Sequence, residues 1–273
     1  MAEAIILVDT FCFNGEEIVK LRLQYLEPWV DMFVIVEAWE THSGNKKSIL
    51  YSEHCKDWFI PYKNKIKWVI IERFPEMTDH WFKNNEHQSW MLDNQKHWYR
   101  ESYQRDLASS YILESFRGRR LLVLVADVDE IPRDHYVQKQ ELETLYSYNE
   151  PIFLEMDFFY YNFNWKKQYK WYKAFLLPDT LLKTSSYSFS SYRTNFTPRL
   201  MIRDAGWHLS YFMCLDDLVR KLGSFAHREC DKDVDIEYVE QCFKYGFDLF
   251  KRGTLENCIA SDDVLPSSFK AIQ

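Results

Sequence analysis

Two aspartates one residue apart, followed directly by a glutamate, stand at the end of an apolar run in the segment LLVLVADVDEIP, residues 121–132. Such a run predicts a strand buried on both faces of a parallel sheet, and ligands of open α/β sheets bind beyond the carboxyl ends of such strands. Alternation along the strand is expected to point Asp127 and Asp129 to one side. Their oxygens could there hold Mg²⁺ or Mn²⁺ against a phosphate-bearing substrate. The alternative is a pair of loop acids that cap a helix beginning near Arg133.

The rest of the chain alternates short apolar runs with segments of helical spacing. Strands are expected at residues 4–9, 32–38, 67–72, 151–162, 171–176 and 199–202. Helices are expected at 85–116, 134–148, 217–225 and 235–250, after a first helix that begins at Asn14 with Glu17 closing a capping box. This alternation predicts an α/β fold, a Rossmann-like and mostly parallel sheet with helices on both faces. No linker or repeat divides residues 1–273, so we expect a single domain.

Composition excludes several classes of protein. The 273 residues are 47% hydrophobic, which is enough for one large α/β domain. A net charge of −7 with only short, scattered basic clusters argues against nucleic acid as a partner. The six cysteines form no C-x-x-C pair, which disfavours a zinc site and suits a reducing compartment. Without a signal peptide or an apolar stretch long enough for a membrane span, we expect a soluble, cytoplasmic chain.

Three segments carry a family resemblance. They are residues 9–46 (DTFCFNGEEIVKLRLQYL, then VDMFVIVEAWETHSGNK), residues 126–132 (ADVDEIP), and residues 205–212 (AGWHLSYF) continuing to KLGSFAH at 221–227. A weaker match lies at Gln104 and Arg105. Together they resemble glycosyltransferase family 17, whose best-known members add a bisecting β1,4-linked N-acetylglucosamine to the core mannose of N-glycans. The resemblance implies a GT-A type fold, a nucleotide-sugar donor, a divalent metal held by the Asp-x-Asp motif, and transfer with inversion.

The resemblance also implies roles for particular residues. Asp127 and Asp129 would hold Mn²⁺ or Mg²⁺, which stabilises the diphosphate that leaves the sugar. Glu130 belongs to the matched motif and would orient the pair or face the acceptor. His208 is the candidate for a further metal or diphosphate ligand, and the alternative is a core histidine hydrogen-bonded beside Trp207.

The nucleotide pocket is expected at the carboxyl ends of the first two strands. The residues expected at its rim are Asp9, Thr10, Phe11 and Glu37. Lys46 lies in a loop, residues 41–46, that suits a phosphate or is simply a solvated turn. Arg105 is a candidate for diphosphate contact, or an i, i+4 surface pair with Glu101. His227 follows a predicted helix and would contact the diphosphate or acceptor, unless it is structural.

The general base of an inverting transfer is left open. Glu130, Glu155, Asp157 and Asp217 are all within reach of a strand end in this interpretation, and Asp157 and Asp217 are the main candidates outside the motif. The aromatic cluster FFYYNFNW at residues 158–165 would form an acceptor platform or fill the core.

The function that fits these residues is a metal-dependent inverting glycosyltransferase. It would move N-acetylglucosamine or a related sugar from a UDP-sugar to an oligosaccharide or glycoprotein acceptor. One alternative is a metal-dependent phosphohydrolase of the haloacid-dehalogenase kind, whose Asp-x-Asp motif usually ends the first strand rather than the fourth. A second alternative is a non-catalytic carbohydrate-binding protein, which would need the aromatic residues but not both aspartates.

Overall fold

The computed structural model describes residues 3–77, 95–222 and 236–261, together with Pro266 and Phe269. The strands are β1 (Ile6–Cys12), β2 (Met32–Ala38), β3 (Ile66–Ile71), β4 (Leu121–Val125), β5 (Glu130–Pro132), β6 (Ile152–Tyr160), β7 (Trp165–Lys166), β8 (Phe175–Pro178), β9 (Leu200–Ser210) and β10 (Ile259–Ala260). The helices are α1 (Val19–Leu26), α2 (Tyr51–His54), α3 (Lys56–Phe59), α4 (Gln95–Ser115), α5 (Lys139–Ser147), α6 (Asp179–Thr184), α7 (Phe189–Asn195), α8 (Leu215–Leu222) and α9 (Ile236–Tyr245).

The strands form one sheet in the order β10-β7-β6-β8-β4-β1-β2-β3, and β9 pairs with both β6 and β5. Strands β3, β2, β1 and β4 are parallel neighbours, and the long pairing of β6 with β9 is also parallel. Strand β8 runs antiparallel between β4 and β6. Most of the paired length is therefore parallel, and the expected α/β class is confirmed.

Helices cover both faces of this sheet because its central strands are apolar on both sides. Successive side chains of a strand point to opposite faces. On β1, Leu7 belongs to the core cluster that includes Leu21 of α1. Its neighbour Val8 belongs to a second cluster with Ala108 and Ile112 of α4. The interior strands β1, β2 and β4 are almost wholly buried, which explains why their sequences are continuous apolar runs.

The predicted start of the first helix is wrong. Helix α1 begins at Val19, and no side chain caps its first turn. Gly15 has φ +89, a left-handed conformation that interrupts any helix starting at Asn14. The Asn14 amide donates to Glu16 Oε2 at 2.7 Å instead of opening a capping box.

The expectation that strand alternation orients the two aspartates at the end of the fourth strand is also wrong. Strand β4 ends at Val125, and Asp127 and Asp129 lie in the turn that follows. The chain turns because the Glu130 amide donates to the Asp127 carbonyl at 3.0 Å and residues 130–132 then pair with β9. Similarly, a short 3₁₀ turn at Asp134–Tyr136 precedes α5, so the helix expected at 134–148 begins only at Lys139.

Strand β9 is much longer than the predicted residues 199–202. Its second half lies against residues 126–130, the turn from β4 into β5 that carries Asp127, Asp129 and Glu130 and is called the acid turn below. His208 pairs with Glu130 on one side and with Phe158 on the other. Gly206 permits this close approach, since a Cβ there would lie 2.3 Å from the Ile131 carbonyl oxygen. Within the ranges that the structure describes, no helix is both long and apolar enough to cross a membrane.

Candidate active site

A buried arginine of α1 binds the backbone of the turn between β4 and β5. Arg22 Nη1 donates to the carbonyl oxygens of Asp127 at 3.0 Å and Glu130 at 2.6 Å. Its Nε and Nη2 bind the two carboxylate oxygens of Asp9 at 2.8 and 2.6 Å. Both side chains of this ion pair are fully buried. The acid turn is therefore fixed to β1 and α1 as well as to its own strand.

Glu130 is fully buried, and each of its carboxylate oxygens accepts two hydrogen bonds. Oε1 accepts from the Trp171 indole and from Arg193 Nη2 at 2.9 Å. Oε2 accepts from Arg193 Nη1 at 2.8 Å and from the Asp127 amide at 2.7 Å. Burial raises the pKa of Glu130, but the Arg193 guanidinium outweighs it and holds the pKa below its ordinary value. Glu130 therefore stays ionised, with its oxygens occupied by the protein.

Asp127 lies between two guanidinium groups at the mouth of the turn. Arg193 Nη2 donates to its Oδ2 at 2.6 Å, and Arg105 Nη2 donates to its Oδ1 at 3.0 Å. Burial opposes ionisation, but Arg193 and Arg105 together hold the pKa of Asp127 far below its usual range. The side chain is nevertheless 36% exposed, so this carboxylate has one side open to solvent.

Asp129, the second aspartate of the turn, lies beside His208 of β9. Asp129 Oδ1 lies 3.6 Å from His208 Nε2, which also contacts Ser210 Oγ at 3.0 Å. The imidazole packs against the rings of both Phe158 and Trp171, with both centroid distances 4.4 Å. Burial lowers the pKa of His208, and the neighbouring carboxylates only partly offset that effect. The ring is therefore neutral near pH 7 and has a nitrogen lone pair to offer.

Of the residues predicted at the nucleotide rim, Glu37 lies near the end of β2, but Asp9, Thr10 and Phe11 lie inside β1, which continues to Cys12. Asp9 is paired with Arg22, and the Thr10 hydroxyl donates to the Val34 carbonyl at 2.8 Å. Phe11 is buried with the Arg22 guanidinium 4.8 Å from its ring centroid. Glu37 accepts from the amides of Tyr51 and Ser52, at 2.7 and 3.0 Å, at the start of α2. The contacts described for these four side chains are therefore with the protein itself.

A surface pocket of about 500 Å³ opens beside these strand ends. Its walls come from the residues after β2 and β3 and from the loop that contains the predicted Lys46. The lining residues are Trp39, Glu40, Lys46, Lys47, Glu72 and Arg73. The pocket thus combines a flat indole with charged groups of both signs.

Helix α4 connects this pocket to the acid turn. His42, in the loop beside the pocket, contacts Gln104 Oε1 through its Nε2 at 2.8 Å, and Arg100 donates to the His42 carbonyl at 3.1 Å. The next residue, Arg105, reaches Asp127 and also pairs with Glu101 at 2.9 Å. The expected pair of Arg105 with Glu101 therefore exists beside its contact with the acid turn. The charges of the site also act on Cys12 at the end of β1. Burial raises the pKa of its thiol to about 12, while Arg105 lowers this pKa and Asp127 raises it.

Asp157, one candidate for the base, faces away from this site. Phe158 stacks on His208, so its neighbour on β6 must point to the other face of the sheet. There Asp157 is bound by Lys170 at 2.7 Å and Lys166 at 2.8 Å. Burial raises the pKa of Asp157, but these lysines outweigh it and lower the pKa, which makes the carboxylate a poor proton acceptor.

The remaining base candidates lie on α8 and β6. Asp217 is on α8, and Glu155 is on β6 at the irregularity in its pairing with β9. His227 lies outside the described residues. In the aromatic cluster 158–165, Phe158, Tyr160 and Tyr161 are buried in a core cluster, which favours the core interpretation for these rings.

The sequence reasoning missed several residues of the site. Arg193 and Trp171 lie in segments with no recognisable motif, and Arg22 looks like an ordinary helix residue. Only the structure identifies these three residues, because each donates a hydrogen bond from a buried or half-buried side chain to the backbone or the carboxylates of the acid turn. Only the position of Arg22 inside an otherwise apolar helical face, between Leu21 and Leu23, hinted at a buried charge.

This combination defines a class of protein: an α/β fold with an acidic, arginine-flanked turn at the carboxyl end of a parallel strand. The model of glycosyltransferase family 17 matches residues 3–251, so the chain belongs to this family. The predicted family is thereby confirmed, and this favours a glycosyltransferase over a carbohydrate-binding protein or a phosphohydrolase.

Comparison with curated proteins finds no match. Among solved structures, the chain is similar to residues 1–349 of TarS from S. aureus, with 10% sequence identity and a TM-score of 0.30. That match covers 56% of this chain and 36% of the TarS chain.

Proposed function

We propose that the protein transfers a sugar, N-acetylglucosamine or a related one, from a UDP-sugar to a glycan acceptor with inversion and with the help of Mn²⁺ or Mg²⁺. The observation that carries this proposal is the arrangement of Asp127, Asp129 and His208 at the carboxyl end of β4 in a family 17 chain. In such sheets this is the edge where ligands bind.

The cation is proposed from the donor groups of the turn. Within the described ranges, no three His, Cys, Asp or Glu side chains are already arranged as a metal site. Asp129 and His208 nevertheless converge to 3.6 Å, close to the roughly 3 Å between adjacent ligands of an octahedral ion. Carboxylate oxygens and a neutral imidazole suit Mn²⁺, and a rotation of Asp127 would add a third ligand. Asp127, Asp129 and His208 would hold the ion, which when bound stabilises charge on the leaving diphosphate.

The charges around the turn support the same ion. The carboxylates of Glu101, Asp127, Asp129 and Glu130 lie around the turn, beside the guanidinium groups of Arg105 and Arg193. His208 stays neutral because burial lowers its pKa. A divalent cation would be attracted to these carboxylates in a partly buried place, where screening by water is weak.

The nucleoside part of the donor is proposed to occupy the pocket beside Trp39. Neighbouring strands lie about 4.8 Å apart, so the ends of β2 and β3 are about 10 to 14 Å from the end of β4. That span suits an extended nucleoside diphosphate whose base lies against the indole. Lys46 and Arg73 would meet its ribose or phosphate groups from the pocket walls.

The acceptor is proposed to approach over Trp171 and Tyr169. The indole of Trp171 is half-buried beside His208, and Tyr169 is 44% exposed with its ring 5.7 Å from that of Phe158. Aromatic faces of this kind pack on the C–H faces of sugars. Glu130 would then act as a positioning residue, because its oxygens are occupied by Arg193, Trp171 and the backbone.

The test is a thermal-shift comparison of nucleoside diphosphates and UDP-sugars with and without Mn²⁺. A ligand at 100 times its dissociation constant adds roughly 2.7 kcal/mol of stability. We expect a shift with UDP or a UDP-sugar that depends on Mn²⁺ and disappears in Asp129→Asn. The matched control is Asp216→Asn, which removes one exposed carboxylate on α8 and should keep the shift. An Mn²⁺-dependent shift that survives Asp129→Asn would remove Asp129 from the site.

A further inference from the structure

The guanidinium of Arg193 joins two of the acidic side chains of the turn. Its Nη2 donates to Asp127 at 2.6 Å and to Glu130 at 2.9 Å, and its Nη1 donates to Glu130 at 2.8 Å. Arg105 occupies the other oxygen of Asp127 at 3.0 Å. Both oxygens of Asp127 thus accept from a cationic group. A metal ion and the two arginines therefore compete for the same carboxylate.

The geometry shows which partner can move. Glu130 is fully buried and saturated, and Arg193, only 7% exposed, is bound to it by both terminal nitrogens and to the Lys173 carbonyl at 3.0 Å. The Asp127 side chain is 36% exposed, and within the described part of the chain its carboxylate is bound only by Arg193 and Arg105. Arg193 therefore stays on Glu130 while Asp127 turns away from it toward solvent.

That rotation leaves donors without acceptors. Arg193 Nη2 would keep only Glu130, and Arg105 Nη2 would keep only Glu101. Arg105 Nε is already buried without a hydrogen-bond partner among the described residues. Guanidinium groups that lose a carboxylate in a partly buried site are costly, and phosphate oxygens match their geometry well.

We propose that Arg193 and Arg105 exchange the Asp127 carboxylate for the diphosphate of the donor, so that the divalent cation and the nucleotide bind with positive coupling. Arg193 thereby becomes a donor-binding residue. This inference rests on the proposed function, since it specifies how the same site would take its nucleotide. The cation alone must displace two arginines from Asp127 with nothing to replace the lost contacts. The diphosphate supplies both the acceptors and the negative charge.

Isothermal titration of the full chain with Mn²⁺ alone, UDP alone in EDTA, and Mn²⁺ at saturating UDP measures this coupling. In the unsubstituted protein we expect UDP to tighten Mn²⁺ binding at least about tenfold, which corresponds to about 1.4 kcal/mol. Linkage requires that Mn²⁺ tighten UDP binding by the same factor. UDP that binds as tightly in EDTA as with Mn²⁺ would overturn the proposal.

The decisive variant is Arg193→Gln. It removes a competitor of the cation, so Mn²⁺ alone should bind at least as tightly as before, while the enhancement by UDP is largely lost. A merely structural role would instead weaken both binding steps together. The control is Arg199→Gln, an exposed arginine just after α7, which should leave both affinities and their coupling unchanged.

Arg193→Lys provides a second variant if the glutamine protein does not fold. The lysine keeps one charge on Glu130 but cannot bind Glu130 and Asp127 in the two-pronged way of Arg193. Its coupling should also fall. Coupling within twofold of the unsubstituted protein in either folded variant would contradict the inference while leaving the proposed function intact. A protein that binds UDP under no condition would instead refute the proposed function, and the inference with it.

Discussion

The buried carboxylate of Glu130 is expected to stabilise the fold as well as the site. In Glu130→Gln one of the two acceptor oxygens becomes an NH₂ group. At the Oε1 position that group would face Trp171 and Arg193, and at the Oε2 position Arg193 and the Asp127 amide. Either orientation opposes donor to donor and leaves buried N–H groups unpaired. Breaking one partner of a buried ion pair typically costs about 3 to 5 kcal/mol, and the remaining contact of Arg193 with Asp127 favours the lower end, about 3 kcal/mol.

The assay is equilibrium unfolding in urea, with the slope of the transition compared between proteins so that a change in midpoint reports stability. The chain provides a matched control. Arg120 and Glu143 form the same two-pronged pair, with both distances 2.9 Å, but on the surface. Glu143→Gln should change the free energy of unfolding only slightly, because water and salt screen an exposed pair.

Two results would refute this reasoning. If Glu130→Gln and Glu143→Gln destabilise the protein equally, burial does not make the Glu130 ion pair contribute more to the free energy of unfolding than the surface pair. If Glu130→Gln is as stable as the unsubstituted protein, the four hydrogen bonds to this carboxylate are not formed as described.

Three further substitutions test other parts of the structure. Gly206→Ala should destabilise the protein clearly in urea unfolding, because its Cβ would lie 2.3 Å from the Ile131 carbonyl oxygen; an unchanged midpoint would show that β5 and β9 are not so close. Asp9→Asn should cost about 3 kcal/mol or more, because it leaves the fully buried Arg22 without its charged partner; a loss comparable with that of a surface change would contradict this. Burial holds the pKa of His42 below its ordinary value of 6.5, so the unfolded chain binds more protons below that pH, and stability should fall as pH drops from about 7 to about 5.5. His42→Gln should reduce this slope, and an unchanged slope would exclude His42 as a source.

The parallel part of the fold could be predicted because its strands are buried on both faces. Residues 32–38 form β2 as predicted, and the neighbouring runs become β1, β3 and β4 with shifts of a few residues. The antiparallel strands β5 and β8 could not be predicted in the same way. Strand β5 is the three residues Glu130–Pro132, and its pairing with β9 depends on contacts far away in sequence. The length of β9 escaped prediction for the same reason.

The acidic residues of the site could be predicted from their place after an apolar strand, but their partners could not. Asp127, Asp129 and His208 do come together, as the motif and the resemblance indicated. Arg193 reaches Asp127 and Glu130 from more than sixty residues away, and no local pattern reports such a contact. The strand alternation used for the two aspartates failed because the chain leaves the sheet before it reaches them.

The hydrogen bonds of the Arg22 guanidinium affect which parts of the protein unfold together. It ties α1, the side chain of Asp9 on β1 and the carbonyls of Asp127 and Glu130 into one hydrogen-bonded unit, in which the side chains of Arg22 and Asp9 are fully buried. A surface turn ordinarily frays by itself, and its amide hydrogens exchange with deuterium quickly. The amide of Glu130 should instead exchange as slowly as those of the central strands, so the loop of the site and the hydrophobic interior would be lost in a single cooperative event.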